Sequence, residues 1–444
     1  MSGNTGRHQQ QMGRYEWARY ELGTLTAVPI RSGTYVPKSQ RGRGSKLVNM
    51  GELFANPRLF DIEMERVPIS ETDRLRFELQ EGDLLFARRS MIGTGASQCS
   101  IVRALEHGSV FDSSLIRVRV NCSLLDPQFL YYFFWSPEGR AEVDSIGRHG
   151  PISGITGRDL ATLPIPVPVI EEQRAIARIL GTLDDKIELN HRVNQALEDL
   201  CSILFKFWFV DFGPVRAKAE GRWRKGKSLL GMPADMWDLW PSEFQQSEIG
   251  EVPKGWSVEG LSGIGHFQNG LACQRFPPQD GRALPVLKIS ELRSGTLRGA
   301  DVASADVPKD YVTTDGDLIF SWSGSLEVKF WYGGKAVLNQ HLFKVTSEAY
   351  PLWFCHGWLL ERLEEFRAIA EDKATTMGHI QRRHLDEALV VVPPRVVLTA
   401  ASVVLTPLRE LILAGELESR TLTDLRDTLL PKLLSGEVRV KVDA

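Results

Sequence analysis

Along two long stretches of the chain, apolar residues return in alternating steps of four and three. The first seam runs Ile176, Leu180, Leu183, Ile187, Asn190, Asn194, Leu197, Cys201 and Leu204. The second runs Ala401, Leu405, Leu408, Ile412, Gly415, Ser419, Leu422, Arg426, Leu429 and Leu433. That rhythm is the stripe of a coiled-coil helix. Each seam is apolar at its ends and polar or small in its middle. An antiparallel pair would set middle against middle, so that Asn190 and Asn194 face Gly415 and Ser419. A buried Asn costs stability but fixes register. Helix one, from about Glu171 to Phe209, would extend roughly 60 Å at about 1.5 Å per residue. The alternative is two amphipathic helices, each packed on its own domain.

Elsewhere the pattern is one of short apolar runs between turn signals, with brief helices such as Pro127–Trp135 and Tyr350–Ala370, which indicates mixed α+β modules. Leu163-Pro164-Ile165-Pro166-Val167-Pro168 is too rich in proline for a helix or a central strand, and stiffens the approach to helix one. Pro393-Pro394 does the same for helix two. Gly213-Pro214 closes the first helix, and Pro431 with Gly436 closes the second.

The two halves are copies. Residues 163–204 return as 388–429 at a constant offset of 225 (388 minus 163). Upstream the likeness continues with drifting offsets. Leu47–Leu53 resembles Val286–Leu292, Gly82-Asp83-Leu84-Leu85-Phe86 resembles Gly316-Asp317-Leu318-Ile319-Phe320, and Phe111–Val118 resembles Leu338–Val345. Two copies at a long period mean a duplicated protomer, not a solenoid. The predicted fold is therefore α+β and pseudo-two-fold, with two similar globular domains joined by two long helices in an antiparallel coiled coil. The expected partition is a disordered tail over 1–13, a first domain over 14–165, a spacer helix over 166–212, a linker over 213–246, a second domain over 247–392, a second spacer helix over 393–436 and a tail over 437–444.

Composition adds little beyond exclusions. The chain has 444 residues, 43% hydrophobic and 25% charged, with 53 Lys+Arg against 56 Asp+Glu. These values fit a soluble globular chain. No uninterrupted apolar run reaches bilayer length, and the N-terminus shows no signal core. Cys99, Cys122, Cys201, Cys273 and Cys355 are scattered and odd in number, which points to reduced thiols in a cytoplasmic protein.

Three segments imitate catalytic motifs. Gly221–Ser228 fits GxxxxGK[ST], but no strand precedes it, and Gly231 with Pro233 interrupts the helix that should come after it; it reads as a basic linker. Asp317 with Glu327-Val328-Lys329 has nuclease-like spacing. Asp317, however, belongs to the repeated GD element, and no ExK comes after Asp83, so it reads as a turn Asp. Asn56-Pro57-Arg58-Leu59 lacks the second Pro and the aromatic ring of an adenine-flipping motif. No Cys or His pair has zinc spacing.

Binding residues remain. Arg31, Lys38, Arg41, Arg43 and Lys46 occupy a Gly/Ser-rich stretch without an acid, suited to phosphates. Arg88, Arg89 and Ser90 come after the first GD strand; Trp322 and Lys329 come after the second. Arg148 and His149 precede helix one as His379, Arg382 and Arg383 precede helix two. Arg and His can donate to guanine N7 and O6.

The chain resembles the specificity subunit of Type I restriction–modification systems. The resemblance rests on Leu163–Pro168 running into Glu171-Glu172-Gln173-Arg174-Ala175-Ile176, on Leu183-Asp184-Asp185-Lys186-Ile187, and on Phe207–Lys218. Ser247–Trp256 and the two GD elements complete it. It covers almost the whole chain. Two departures are the missing EEQ at Pro393–Leu398 and Tyr15-Glu16-Trp17 in place of a PKGW opening. The resemblance implies that each domain reads one half of a split, asymmetric site in double-stranded DNA. It also implies that the helices dock two adenine methyltransferase subunits, and that restriction/translocase subunits join. The chain itself would be non-catalytic and cofactor-free, with S-adenosylmethionine, ATP and Mg2+ belonging to partners and no membrane involved. A two-headed protein adaptor that binds no DNA, and a nucleotide- or metal-dependent enzyme, are the alternatives.

Overall fold

The computed structural model describes residues 17–90, 98–147, 153–279, 281–372 and 378–441. The expected 1–13 tail and the candidates Arg148 and His149 lie outside the described residues. The chain forms two compact units, Met1–Lys186 with Leu422–Ala444, and Ile187–Thr421.

The first unit is built on a five-stranded sheet. Its strands are β1 (Arg31–Ser32), β2 (Arg58–Leu59), β3 (Leu84–Ala87), β5 (Cys99–Val102) and β6 (Leu115–Val118), ordered β1-β6-β3-β5-β2. A short strand β4 (Arg89–Ser90) comes directly after β3. The GD strand is central, antiparallel to β6 on one side and β5 on the other. It is buried on both faces, as its unbroken apolar run requires. Leu84 and Phe86 join Ile116, Val118 and the aromatic helix α1 (Pro127–Trp135), whereas Leu85 and Ala87 join Leu53 and Leu59 on the other side.

In the second unit the equivalent sheet has β8 (His266–Asn269), β9 (Leu318–Ser321), β10 (Val328–Phe330) and β11 (Leu342–Thr346), ordered β8-β11-β9-β10. A strand β7 (Ser153–Gly154) of the first unit precedes them in the chain. Leu318 and Phe320 enter the large core and Ile319 the smaller one.

The turn before each central strand shows why Gly-Asp recurs. Gly82 and Gly316 have φ of 87° and 91°, a region that only Gly enters without strain. The Asp carboxylate then closes the turn, accepting from the Gln80 N–H at 2.8 Å in one copy and the Thr314 N–H at 2.7 Å in the other. Each also meets a cation, Arg119 at 2.6 Å or Lys344 at 2.8 Å. Asp317 is thus engaged as a turn residue, and Glu327 meets Arg293 rather than a second carboxylate.

Two long helices come after the domains, α2 (Ile170–Phe205) and, after α3 (Gly213–Ala219), α4 (Leu352–Asp372) and α5 (Arg382–Glu387), the helix α6 (Arg395–Leu434). Within the first unit, Ile176, Ala177 and Leu180 at the start of α2 share a core with Leu430, Leu433 and Leu434 at the end of α6; Leu429 packs at its edge. Asp184 accepts from Tyr132 Oη and from Arg426, both at 2.7 Å. Leu183 is half-buried, as is Leu422. The EEQ run is structural: Gln173 accepts from the Asp126 N–H at 2.7 Å and donates to the Pro168 carbonyl at 2.8 Å, while Glu172 accepts from Arg439 at 2.7 Å.

Within the second unit the rest of α2 runs antiparallel to the first part of α6. Asn190 donates to Glu418 at 2.8 Å, Asn194 to Glu416 at 2.9 Å, and Glu198 accepts from Arg409 at 2.6 Å. Asn190 and Asn194 are buried beside Gly415, whose carbonyl is 3.5 Å from the Asn190 amide nitrogen. Ser419 instead returns its hydroxyl to that same carbonyl at 2.8 Å. Ile187, Leu204, Leu405 and Ile412 are buried, with Leu197 and Leu408 half-buried against the core.

Two local expectations are corrected. Pro431 does not end helix two, which continues to Leu434 before Gly436 takes a φ of 71°. The stretch expected as a linker is packed: Trp223, Met232, Met236 and Trp240 are buried in the second unit's core. A window of α6 with mean hydropathy 1.8 is long and apolar enough to cross a membrane by length and composition, although no uninterrupted apolar run does so. The five cysteines are free thiols; four are buried and Cys122 is exposed. Burial raises the Cys355 thiol to about 12 and lifts Cys99, Cys201 and Cys273 as well.

Candidate nucleic-acid interface

The chain leaves the central strand of each unit into a turn that pairs back with the segment preceding the long helix. In the first unit β4 pairs with β7, Ser90 opposite Ser153 and Arg89 opposite Gly154. In the second, Ser323 bridges to His379. The second copy thus brings together two candidates that lie far apart in the sequence, Trp322 and His379; in the first, Arg88 and Arg89 meet the 153–154 segment, which was not among the candidates.

Arg88 is half-buried and held by its backbone, its N–H donating to the Ser114 carbonyl at 2.8 Å; the Arg89 side chain is exposed. Trp322 is fixed by an Nε1–H bond to the Gln340 carbonyl at 3.1 Å and by ring contacts with His341, Phe343 and His379. Beside it, Ser323 Oγ lies 2.9 Å from His341 Nδ1, and His341 Nε2 lies 3.3 Å from the Gln340 amide. Ser323, Gln340 and His341 did not stand out in the sequence. The signal was the repeat itself, since His341 aligns with Ser114 in the polar stretch ahead of β6 and β11.

Other candidates separate. Arg382 donates to the Phe267 carbonyl at 2.9 Å and lies over the Phe343 ring, whereas Arg383 is exposed. Lys329 donates to the Arg293 carbonyl at 3.2 Å. In the basic stretch, Arg41 pairs with Glu65 at 2.8 Å and donates to the Val36 carbonyl, and Lys46 is buried against Asp61 at 2.8 Å. Hydrogen bonding to Asp61 raises the Lys46 pKa. Those two side chains serve the fold, leaving Lys38 and Arg43 exposed on that loop. His384 is buried and caps α5, its Nδ1 accepting from the Gln381 N–H at 3.1 Å.

Among the described residues, no group of three or more His, Cys, Asp or Glu side chains could hold a metal ion. In the phosphate-loop look-alike, Trp223 is buried and its Nε1–H donates to the Lys227 carbonyl at 2.8 Å, so the loop closes on its own indole.

A family profile described as the Type I restriction modification DNA specificity domain matches residues 47–199. The specificity subunit of the MjaIX Type I restriction enzyme of Methanocaldococcus jannaschii is 27% identical over 328 residues, covering 71% of this chain and 69% of that one. The HindI specificity subunit of Haemophilus influenzae is 24% identical over 470 aligned positions, covering 95% of this chain and all of the relative. Over residues 47–199, and along most of its length, the chain is similar to the specificity subunits of Type I restriction–modification systems. In fold, the chain is similar to the crystal structure of the S subunit from M. genitalium, with TM-score 0.54, 14% identity and coverage of 95% and 97%. Specificity subunits of Type I systems are recognition subunits rather than enzymes.

Proposed function

We propose that this chain is the DNA-recognition subunit of a Type I restriction–modification complex, each unit reading one half of a bipartite, asymmetric site. The observation that carries this reading is the duplicated turn cluster with different side chains in each copy: Arg88 and Arg89 in one, Trp322, Ser323, His341 and His379 in the other. Equivalent backbone with unlike donors is what two different half-sites call for, because base identity is read by the pattern of donors and acceptors. Arg suits the two acceptors of guanine; Ser and His serve mixed patterns.

Assembly with other subunits of the system comes with the family. The finer reading is that two adenine methyltransferase subunits dock on the helices, and that these and a restriction/translocase subunit supply S-adenosylmethionine, Mg2+ and ATP chemistry. Support comes from the outer faces of the helices in the second unit. Leu189, Val193, Leu200 and Ile203 on α2, and Val396, Val403 and Leu411 on α6, are exposed. Helical apolar stripes left in water mark protein contact surfaces.

The test is reconstitution with a methyltransferase subunit and mapping of methylated adenines. Arg89→Ala should relax base preference in one half-site only and His341→Ala in the other, each at about 1–3 kcal/mol of discrimination. A bipartite site unaffected by either substitution, or methyl transfer by this chain alone, would refute the reading.

A further inference from the structure

The first unit contains a cavity that half-site recognition does not use. It lies where the opening turns of α2 pass the N-terminus of α1. Arg103, Gln128, Arg174, Arg178, Gly181 and Asp185 line it, and its volume is about 350 Å3. Small-molecule sites span about 300–1,000 Å3 and are mostly apolar. This one has the size of a small site but a charged wall.

The charges do not cancel within the cavity. Its two carboxylates are already committed. Asp126 caps α1, accepting from the Gln128 and Phe129 N–H groups at 2.9 and 3.0 Å. Asp185 accepts from Arg58. Among the guanidiniums, Arg103 has a buried Nε–H with no acceptor, while its terminal nitrogens meet the Gln128 amide. Arg174 and Arg178, one turn apart on α2, are exposed, and neither has a carboxylate within 4.0 Å among the described residues. Donors and positive charge are left over; acceptors are not.

Gly181 supports the same conclusion. Glycine in a helix interior is unfavourable, and here packing does not demand it: an added Cβ would come no closer than 3.4 Å to any neighbour. The missing side chain keeps the cavity open. The second copy of the repeat has no such wall. At the offset of 225, Arg174, Arg178, Gly181 and Asp185 become Thr399, Val403, Thr406 and Glu410. An occupant that bound both copies alike would need the same residues in both, so the cavity is a single site per chain.

We infer that this cavity binds a phosphate-class anion, one per chain. Guanidinium forks match phosphoryl oxygens in pairs, and Arg rather than Lys is the residue that such geometry selects. None of these residues belongs to the turn clusters, so the site is separate from the half-site contacts. The anion can be a free phosphate compound or a phosphate of the DNA backbone.

The full-length chain would be titrated with pyrophosphate by calorimetry at low ionic strength. One saturable site is expected. Arg174→Gln with Arg178→Gln should weaken it at least tenfold, without changing the melting temperature of the ligand-free chain. Gly181→Leu should abolish binding by filling the cavity. Thr399→Ala with Val403→Ala, at the equivalent place in the other copy, should leave it unchanged. If duplex DNA displaces pyrophosphate, the site belongs to a backbone phosphate; if it does not, to a free phosphate compound. Absence of saturable binding, equal affinity in the double Gln variant, two sites per chain, or tighter binding of citrate than of pyrophosphate would overturn the assignment.

Discussion

His356 is buried in the second unit, with its Nδ1 2.8 Å from an Arg409 guanidinium nitrogen and its ring against Phe330. A nitrogen that accepts from Arg cannot also carry a proton, so the imidazole is neutral. Burial, with the Arg409 charge behind it, holds its pKa well below the ordinary value. The unfolded chain therefore takes up a proton that the native chain refuses. Stability is complete above the unfolded pKa of about 6.5 and falls as pH drops below it. His356→Gln should flatten the decline in urea-unfolding free energy between about pH 7 and 5; an unaltered slope would show that other groups set it. The basic loop divides at the same scale. Arg41, Arg43 and Lys46 are equivalent in the sequence, but Glu65, Asp112 and Asp61, brought from distant positions, claim two of them. Short-range reading cannot see such partners. Arg41→Ala should accordingly cost about 1–3 kcal/mol of stability. Arg43→Ala should instead leave stability intact and lower the salt slope of DNA binding by about one. Equal effects of the two substitutions on unfolding would contradict this division.

The helices were the most legible elements, because little besides a coiled-coil face sustains a four-three rhythm over nine or ten positions. Their polar centre was also visible, though not its details: Asn190 and Asn194 spend their amide donors on Glu418 and Glu416, with Gly415 between them. Carboxylates just off the seam leave no trace in the apolar pattern. Gly415 allows a sharp test. Replacing a mid-helix Gly by Ala ordinarily gains up to about 1 kcal/mol. Here the new Cβ would fall 2.6 Å from Asn194 Oδ1, inside a hydrogen-bonded, buried site. Gly415→Ala should therefore destabilise by about 1–3 kcal/mol, and Asn194→Ala in the same chain should recover part of that loss. Additive losses in the double-mutant cycle would show that the two positions are not coupled. The packing of the stretch after α3 is hidden in the sequence for the opposite reason. It packs through single aromatics, Trp223 and Trp240, spaced by polar turns, so it has no period to detect.

At the scale of the whole chain, duplication announced itself through a gapless repeat, but the division into units did not. The compact units part at 186/187 and 421/422, inside α2 and α6, where the heptad pattern runs on without a mark. One consequence concerns truncation. A fragment of residues 1–213 lacks Leu430, Leu433 and Leu434, which complete the core around Leu180, and lacks Arg426, the partner of Asp184. Each leucine face left in water forfeits roughly 1.5–3 kcal/mol. Pairing α2 with α2 of a second fragment would restore apolar cover, so the fragment should sediment as a homodimer. With methyltransferase present it should methylate a palindrome built from one half-site. A well-folded monomer would break this expectation.

The thiols carry a practical implication. Four of the five are sealed in cores, where burial suppresses the thiolate, and Cys122 alone is open to solvent, in the turn that leads to the Asp126 cap of α1. Since the thiolate is the reacting species, a maleimide fluorophore should attach to the native chain at one address without any engineered cysteine. That address is four positions before a residue lining the arginine cavity, so the wild-type protein can serve as its own reporter of anions arriving there.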